Sequence, residues 1–139
     1  ERLVERMVSE FKRPGRAGGG GFYDYPPGQP KRLWPGLKSN FEQPGAHAEL
    51  ADLVQRLLYR QAIETARCLA EGVLSSTHDA NIGSIFGIGF PAWTGGAMQF
   101  IYSEGGERFV ANAEALAVRH GERFALDAKV RDCIARHAP

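Results

Sequence analysis

The sequence predicts an all-α protein, a helical bundle with an extended amino-terminal arm. Three observations support this fold class. Several long segments repeat apolar residues with the 3.6-residue period of an amphipathic helix. Glycine and proline residues interrupt these segments at positions that fit helix ends. A strand-like segment is found only in the short aromatic run from Phe22 to Tyr25.

The composition excludes several classes of protein. With 139 residues and 43% hydrophobic content, the chain can form one domain with a core and an appended segment. A net charge of +1 without a basic run is not the electrostatic pattern of a nucleic-acid-binding protein. No apolar run reaches the roughly 20 residues that span a bilayer, and the start lacks a signal-peptide layout, so we expect a cytoplasmic protein without a membrane span. Cys68 and Cys133 lack ligand spacing, which predicts reduced thiols and no metal site.

The stretch from Asn81 to Tyr102 is the one around which we expect the fold to be organised. Its ten large apolar residues predict a buried segment, and its glycines and proline predict a helix, a turn and a second helix. Gly87 and Gly89 should end the first helix, and Pro91 should prevent it from resuming. The pair Gly95-Gly96 should lead into the second helix and allow a neighbouring backbone to approach closely.

The other elements follow the same signals. Apolar periodicity and stop residues predict helices over residues 1–12, from 48 or 49 to 72, from about 79, over 107–120 and from about 127. The helix that ends near Gly72 should be the longest and the central one. The glycine run Gly18 to Gly21 does not fit a phosphate-binding loop, since no Lys-Ser/Thr pair follows it. The proline-rich stretch after Tyr25 predicts an irregular linker.

Two features bear on function. The first residue is Glu1, and the first helix starts directly in amphipathic register without a cap, which suggests a piece of a longer polypeptide. The chain also contains no HExxH, CxxC or GxSxG motif and no spacing that favours a nucleophile beside a base. We therefore predict no catalytic residues, and a binding or scaffolding role.

Two segments resemble a known family. GRAGGGGFYDYP (residues 15–26) resembles the end of the first carboxy-terminal helical domain of 3-hydroxyacyl-CoA dehydrogenases, although Ala17 and Gly20 stand where that pattern often has basic residues. RLLYRQAIETARCLAEGV (56–73), followed by GIGFPAWTGGAMQFIYSEGG (87–106), resembles the second copy of that domain. This tandem arrangement is that of the multifunctional fatty-acid oxidation enzymes.

The resemblance implies a fold of the 6-phosphogluconate dehydrogenase carboxy-terminal type and three regions. Residues 1–25 would be a remnant of the first helical domain, residues 26–47 a linker, and residues 48–139 the second helical domain. The second copy would be structural, packing on the first as two subunits pack in dimeric relatives. The residues that match the motifs, and so have substrate or packing roles by resemblance, are Arg16, Tyr23, Phe90, Pro91 and Trp93.

The resemblance also implies what lies outside the chain. The NAD-binding domain and the catalytic residues of the dehydrogenase would precede Glu1, so this region would hold no cofactor and would not oxidise 3-hydroxyacyl-CoA by itself. Its partners would be the dehydrogenase and hydratase domains of the parent, their acyl-CoA substrate, a thiolase subunit, and a second copy of the fragment in a homodimer. The alternative is a free-standing helical module that binds acyl groups or proteins, with a pocket formed by Phe90, Trp93 and Met98.

Overall fold

The computed structural model describes residues 2–45 and 48–137. The chain divides into two compact units, Glu1–His47 and Ala48–Pro139. The described residues form seven α-helices and one two-stranded sheet, which confirms the predicted all-α bundle. None of these helices is both long enough and apolar enough to cross a lipid bilayer.

The amino-terminal unit combines two short helices with a small hairpin. It consists of α1 (Arg2–Ser9), a 3₁₀ turn (Arg16–Gly18), β1 (Tyr23–Asp24), β2 (Arg32–Leu33) and α2 (Gly36–Phe41). The strands are antiparallel, with Tyr23 opposite Leu33 and Asp24 opposite Arg32.

Part of this unit differs from the sequence prediction. The first helix stops at Ser9 rather than at residue 12, and β2 and α2 lie in the stretch expected to be irregular. Phe11 packs edge-on against Trp34 and Phe41, with ring centroids 5.2 and 5.7 Å apart. These aromatic contacts and the strand pairing join residues that are far apart in sequence. Local periodicity therefore could not predict β2 and α2.

The carboxy-terminal unit is a bundle of five helices. It consists of α3 (Leu50–Ala70), α4 (Thr77–Ile88), a 3₁₀ turn (Ala92–Thr94), α5 (Ala97–Glu104), α6 (Gly106–His120), a second 3₁₀ turn (Glu122–Phe124) and α7 (Ala128–His137). The predicted helix ends in this unit agree to within about two residues. Helix α3 is the longest and packs against α4, α5 and α7, as expected of a central helix.

The core of this unit lies around α3. Ala62 and Ala66 are fully buried there, and such small side chains let neighbouring helices approach closely. The larger core side chains come from α3, α5, α6, α7 and the turns, and they include Tyr59, Ile63, Phe90, Met98, Ile101, Phe109, Leu116, Val130 and Ile134. The fold is therefore held mainly by apolar burial between helices that are distant in sequence.

The prediction that the whole stretch from Asn81 to Tyr102 is buried is only half right. Phe90, Met98 and Ile101 are in the core, but other large apolar side chains of this stretch face solvent: Ile82, Phe86, Ile88 and Trp93. Helix α4 turns its small residues Ala80 and Ser84 toward the core instead. The predicted helix is present, but its large apolar side chains Ile82 and Phe86 lie on the side that faces solvent.

Candidate functional site

The turn between α4 and α5, which contains the recognised motif, is held by hydrogen bonds to side chains of α4. The Asn81 Oδ1 atom accepts hydrogen bonds from the backbone N–H groups of Met98 and Gln99, at 2.9 and 3.1 Å. The Ser84 hydroxyl accepts one from the N–H of Ala97 at 3.0 Å and donates to the Asn81 carbonyl at 2.8 Å. The first N–H groups of a helix have no partner within it, so α4 supplies the cap that α5 lacks.

The glycine pair of the corner is required by close packing, as the sequence predicts. Gly96 has φ of +107°, and a Cβ atom placed on it would lie 2.6 Å from the Cα of Asn81. The preceding Thr94 hydroxyl donates to the carbonyl of Pro91 at 2.7 Å and accepts from the N–H of Gly96 at 3.2 Å. The conspicuous Gly-Phe-Pro and Gly-Gly segments therefore build a turn that packs closely against α4.

Four large apolar side chains in and next to this turn are exposed to solvent. Ile82, Phe86, Ile88 and Trp93, which we call the apolar corner, are 45, 83, 58 and 83% exposed. Ile82 and Phe86 are one helical turn apart on the same face of α4. Exposed apolar side chains that form one contiguous patch are typical of surfaces that pack against another protein surface.

The sequence-predicted candidates of this unit are placed differently from one another. Phe90 is 2% exposed and meets Phe100 edge-on at 5.8 Å, and Met98 is fully buried in the same core. Pro91 is half-buried and precedes the 3₁₀ turn, whereas Trp93 faces solvent. Phe90, Met98 and Trp93 therefore do not enclose the common pocket that an acyl-binding module would need.

The other two candidates lie in the amino-terminal unit. Arg16 is exposed, with its guanidinium carbon 5.5 Å from the centroid of the Tyr25 ring. Tyr23 is half-buried, and the Lys31 Nζ atom lies 4.8 Å from the centroid of its ring. The two residues contact different partners and do not converge on one site.

Arg13 is the organising residue of this unit, although no motif in the sequence marks it. Its Nε atom donates to the carbonyl of Gly21 at 2.7 Å, and its Nη2 atom donates to the carbonyl of Tyr23 and the carboxylate of Asp24, at 3.2 and 2.5 Å. Its guanidinium carbon lies 4.6 Å from the centroid of the Trp34 ring. A Cβ on Gly20 would lie 2.8 Å from the Arg13 Nη2 atom, so the glycine leaves room for the Arg13 guanidinium group.

Tyr59 brings a polar hydroxyl group into the bundle core. The Tyr59 hydroxyl donates to the Glu104 carboxylate and accepts a hydrogen bond from the Asn112 amide at 3.0 Å, while its ring stacks on Phe109 at 4.4 Å. Burial, followed by the hydrogen bond to Glu104, raises the pKa of Tyr59 to about 12. A phenol held this firmly in its neutral form is poorly suited to proton transfer near neutral pH, which favours a structural role.

The described part of the chain offers no metal-binding constellation. It contains no group of three or more His, Cys, Asp or Glu residues placed to hold an ion. Cys133 is buried, and burial raises the pKa of its thiol, which disfavours the reactive thiolate.

Comparison with known proteins gives a consistent set of relatives, although no protein-family model matches the chain. The chain is 37% identical over 120 residues to the fatty acid oxidation complex subunit alpha of Shewanella loihica, 32% over 129 residues to that of Shewanella sp. strain MR-4, and 33% over 138 residues to that of Pseudomonas savastanoi pv. phaseolicola. These matches cover 81, 86 and 94% of this chain but only 16, 18 and 19% of the relatives. The chain is thus homologous, over most of its length, to a segment of fatty acid oxidation complex alpha subunits, which confirms the resemblance drawn from its motifs.

Proposed function

We propose that the chain is the carboxy-terminal helical region of a multifunctional fatty-acid oxidation subunit and that its role there is structural. In this proposal residues 48–139 are the second helical domain of the dehydrogenase part. Residues 1–25 are the end of the first helical domain, and residues 26–47 connect the two. The homology over most of the chain and the order of the two matching motifs support this assignment.

The exposure of the apolar corner is the main observation that supports a structural role. Two of its four side chains, Ile88 and Trp93, belong to the resembling segment 87–106. None of the four contributes to the core of its own unit. Burying one large apolar side chain contributes roughly 1.5–3 kcal/mol. A second protein surface packed on the corner would therefore be held firmly, and we assign that surface to another helical domain of the parent.

The chemistry of the parent would take place elsewhere in the polypeptide. The parent is proposed to oxidise 3-hydroxyacyl-CoA to 3-oxoacyl-CoA with NAD, using an upstream dehydrogenase domain beside a hydratase domain. This region would support the acyl-CoA site indirectly by holding the first helical domain in place. A thiolase subunit would be a further partner of the whole subunit, and a cytoplasmic location is part of the same proposal.

The experiment is a chimera in which this chain replaces the matched segment of the Shewanella loihica subunit. We expect the chimera to keep its dehydrogenase activity. Phe86→Ser combined with Trp93→Ser should lower the thermal stability and the activity of the chimera, because the corner loses its apolar contacts. The matched control is Val118→Ser, since Val118 is 89% exposed on α6 and lies outside the corner.

Two results would contradict the proposal. One is measurable turnover of acetoacetyl-CoA with NADH by the isolated chain, which would place catalytic groups within it. The other is a corner variant whose chimera is as stable as the Val118→Ser control. Light scattering of the isolated chain measures whether it forms the proposed homodimer. The two corner substitutions should weaken that dimer.

A further inference from the structure

A cavity of about 420 Å³ opens beside α3 in the carboxy-terminal unit. One face of α3 lines it with Leu53, Arg56, Leu57 and Arg60, which follow the i, i+3, i+4, i+7 spacing of a single helical stripe. The end of α6 and the following 3₁₀ turn form the opposite side. The cavity falls within the size range of small-molecule sites.

Three buried nitrogen atoms belong to side chains that line this cavity and make no hydrogen bond. They are the Nε of Arg56, the Nη1 of Arg60 and the Nε2 of His120. Among the described side chains, the Tyr102 hydroxyl is the one other buried nitrogen or oxygen in this condition. Buried polar groups normally have a partner, so this concentration in one cavity indicates a missing hydrogen-bond acceptor.

The neighbouring carboxylates lie within ion-pair distance of these nitrogens but accept no hydrogen bond from them. Asp52 lies 3.1 Å from the Arg56 Nε atom and 3.6 Å from the His120 Nε2 atom, and Glu64 lies 2.9 Å from the Arg60 Nη1 atom, but none of these contacts has hydrogen-bond geometry. Each carboxylate also serves a further arginine outside the lining: Asp52 accepts from Arg119 at 3.5 Å and Glu64 from Arg67 at 2.7 Å.

Arg123 adds an arginine without a carboxylate to balance it. It lines the cavity from the 3₁₀ turn after α6 and forms no ion pair with any carboxylate of the described residues. The guanidinium groups around the cavity therefore have N–H donors without acceptors, and the nearby acidic groups are too few to neutralise their charge. Such a site favours an anion with several acceptor oxygens.

The remaining lining is apolar. Phe124 is 3% exposed, whereas Leu53 and Leu57 are 38 and 66% exposed. The cavity is thus lined by leucine and phenylalanine side chains next to arginine side chains. A ligand that fits both kinds of surface must carry an anionic group and an apolar chain together.

We infer that this cavity binds an amphiphilic anion, a phosphate or carboxylate that carries an alkyl chain. The anionic group binds Arg56, Arg60 and Arg123, and the alkyl chain lies along Leu53, Leu57 and Phe124. This inference stands apart from the role proposed above, since it uses residues outside the apolar corner.

The test is isothermal titration calorimetry of the full chain with octyl phosphate, inorganic phosphate and the uncharged octyl glucoside. We expect saturable binding of octyl phosphate that is tighter than binding of either control ligand. Lengthening the chain from hexyl to octyl phosphate should tighten binding about fourfold per methylene. Arg123→Gln should weaken octyl phosphate binding about tenfold or more, because a charge-assisted hydrogen bond is lost. Arg60→Gln should do the same.

Arg108→Gln is the matched control, since Arg108 is exposed on α6 and does not line the cavity. It makes the same change of charge and should leave binding unchanged. Circular dichroism checks that each variant is folded. Equal affinities of the Arg108→Gln and Arg123→Gln variants, or equal binding of octyl glucoside and octyl phosphate, would overturn the inference.

A second arm identifies where such an anion comes from. Sedimentation with phosphatidylglycerol vesicles that is lost in the Arg123→Gln variant would identify a lipid headgroup as the source. Binding of monomeric octyl phosphate without vesicle binding would identify a free amphiphile. Binding of neither probe would refute the site.

Discussion

Replacing Gly96 by alanine tests the close contact between α4 and α5. Gly96 has φ of +107°, and an added Cβ would meet the Cα and Cβ of Asn81 at 2.6 Å and the Asn81 carbonyl oxygen at 2.8 Å. Real Cβ atoms do not approach other atoms this closely, and the obstacle includes backbone, so the start of α5 must move away from α4. The matched control is Gly83→Ala, because a Cβ on Gly83 of α4 meets nothing within 4 Å.

The expected loss of stability follows from two contributions. The left-handed backbone conformation costs an alanine roughly 1–3 kcal/mol. Moving α5 also weakens the hydrogen bonds that Met98, Gln99 and Ala97 donate to Asn81 and Ser84, at about 1 kcal/mol each. We expect Gly96→Ala to lower the free energy of unfolding by about 3–5 kcal/mol. Gly83→Ala should raise it by up to about 1 kcal/mol, since alanine is the better helix former.

The assay is urea unfolding followed by circular dichroism, with thermal melts of the same variants. For a domain of this size, each 1 kcal/mol corresponds to a shift of about 4–8 °C in Tm. Gly96→Ala should therefore unfold at much lower urea concentration than both the unaltered chain and Gly83→Ala. Equal midpoints for the two variants would refute the packing argument for the corner.

Three further predictions use the same unfolding assay. Asn81→Ala should lower the free energy of unfolding by about 1–2 kcal/mol because α5 loses its cap. Asn81→Asp keeps the acceptor oxygen, so its free energy of unfolding should stay near that of the unaltered chain. Equal losses in the two variants would contradict the capping role. The pKa of Tyr59 is about 12 in the folded chain and about 10 when unfolded, so its contribution to stability is full below pH 10 and is lost as the pH rises toward 12. Tyr59→Phe should reduce that alkaline loss, and an unchanged pH profile would contradict it. Arg13→Lys should destabilise the amino-terminal unit by about 2 kcal/mol, because lysine cannot reproduce the forked contacts, while Arg16→Lys at an exposed site should not.

The helix ends show how much of the fold was readable from the sequence. Gly89 adopts φ of +70° at the end of α4, and Ser76 accepts a hydrogen bond from the N–H of Asp79 at its start. Gly121 follows the end of α6. Each of these signals acts within about four residues, so the local sequence carries it.

The candidate site was less readable, because it depends on contacts between distant segments. Asn81 accepts hydrogen bonds from backbone N–H groups 17 and 18 residues away. Arg13 donates hydrogen bonds to carbonyl groups 8 and 10 residues away. The motif that includes Phe90 and Trp93 was recognised in the sequence, but one of these side chains is in the core and the other faces solvent. Apolar character alone could not separate the two.

The sequence by itself determined the helical class, the helix ends of the carboxy-terminal unit and the relationship to fatty acid oxidation complex alpha subunits, because periodicity, caps and motifs are local properties. The tertiary structure alone decided which face of α4 is buried. It also alone decided that Asn81 caps α5 and that arginines of α3 meet Arg123 around one cavity. These outcomes depend on which helices pack against each other, and that is settled by the burial of the whole core rather than by any one segment.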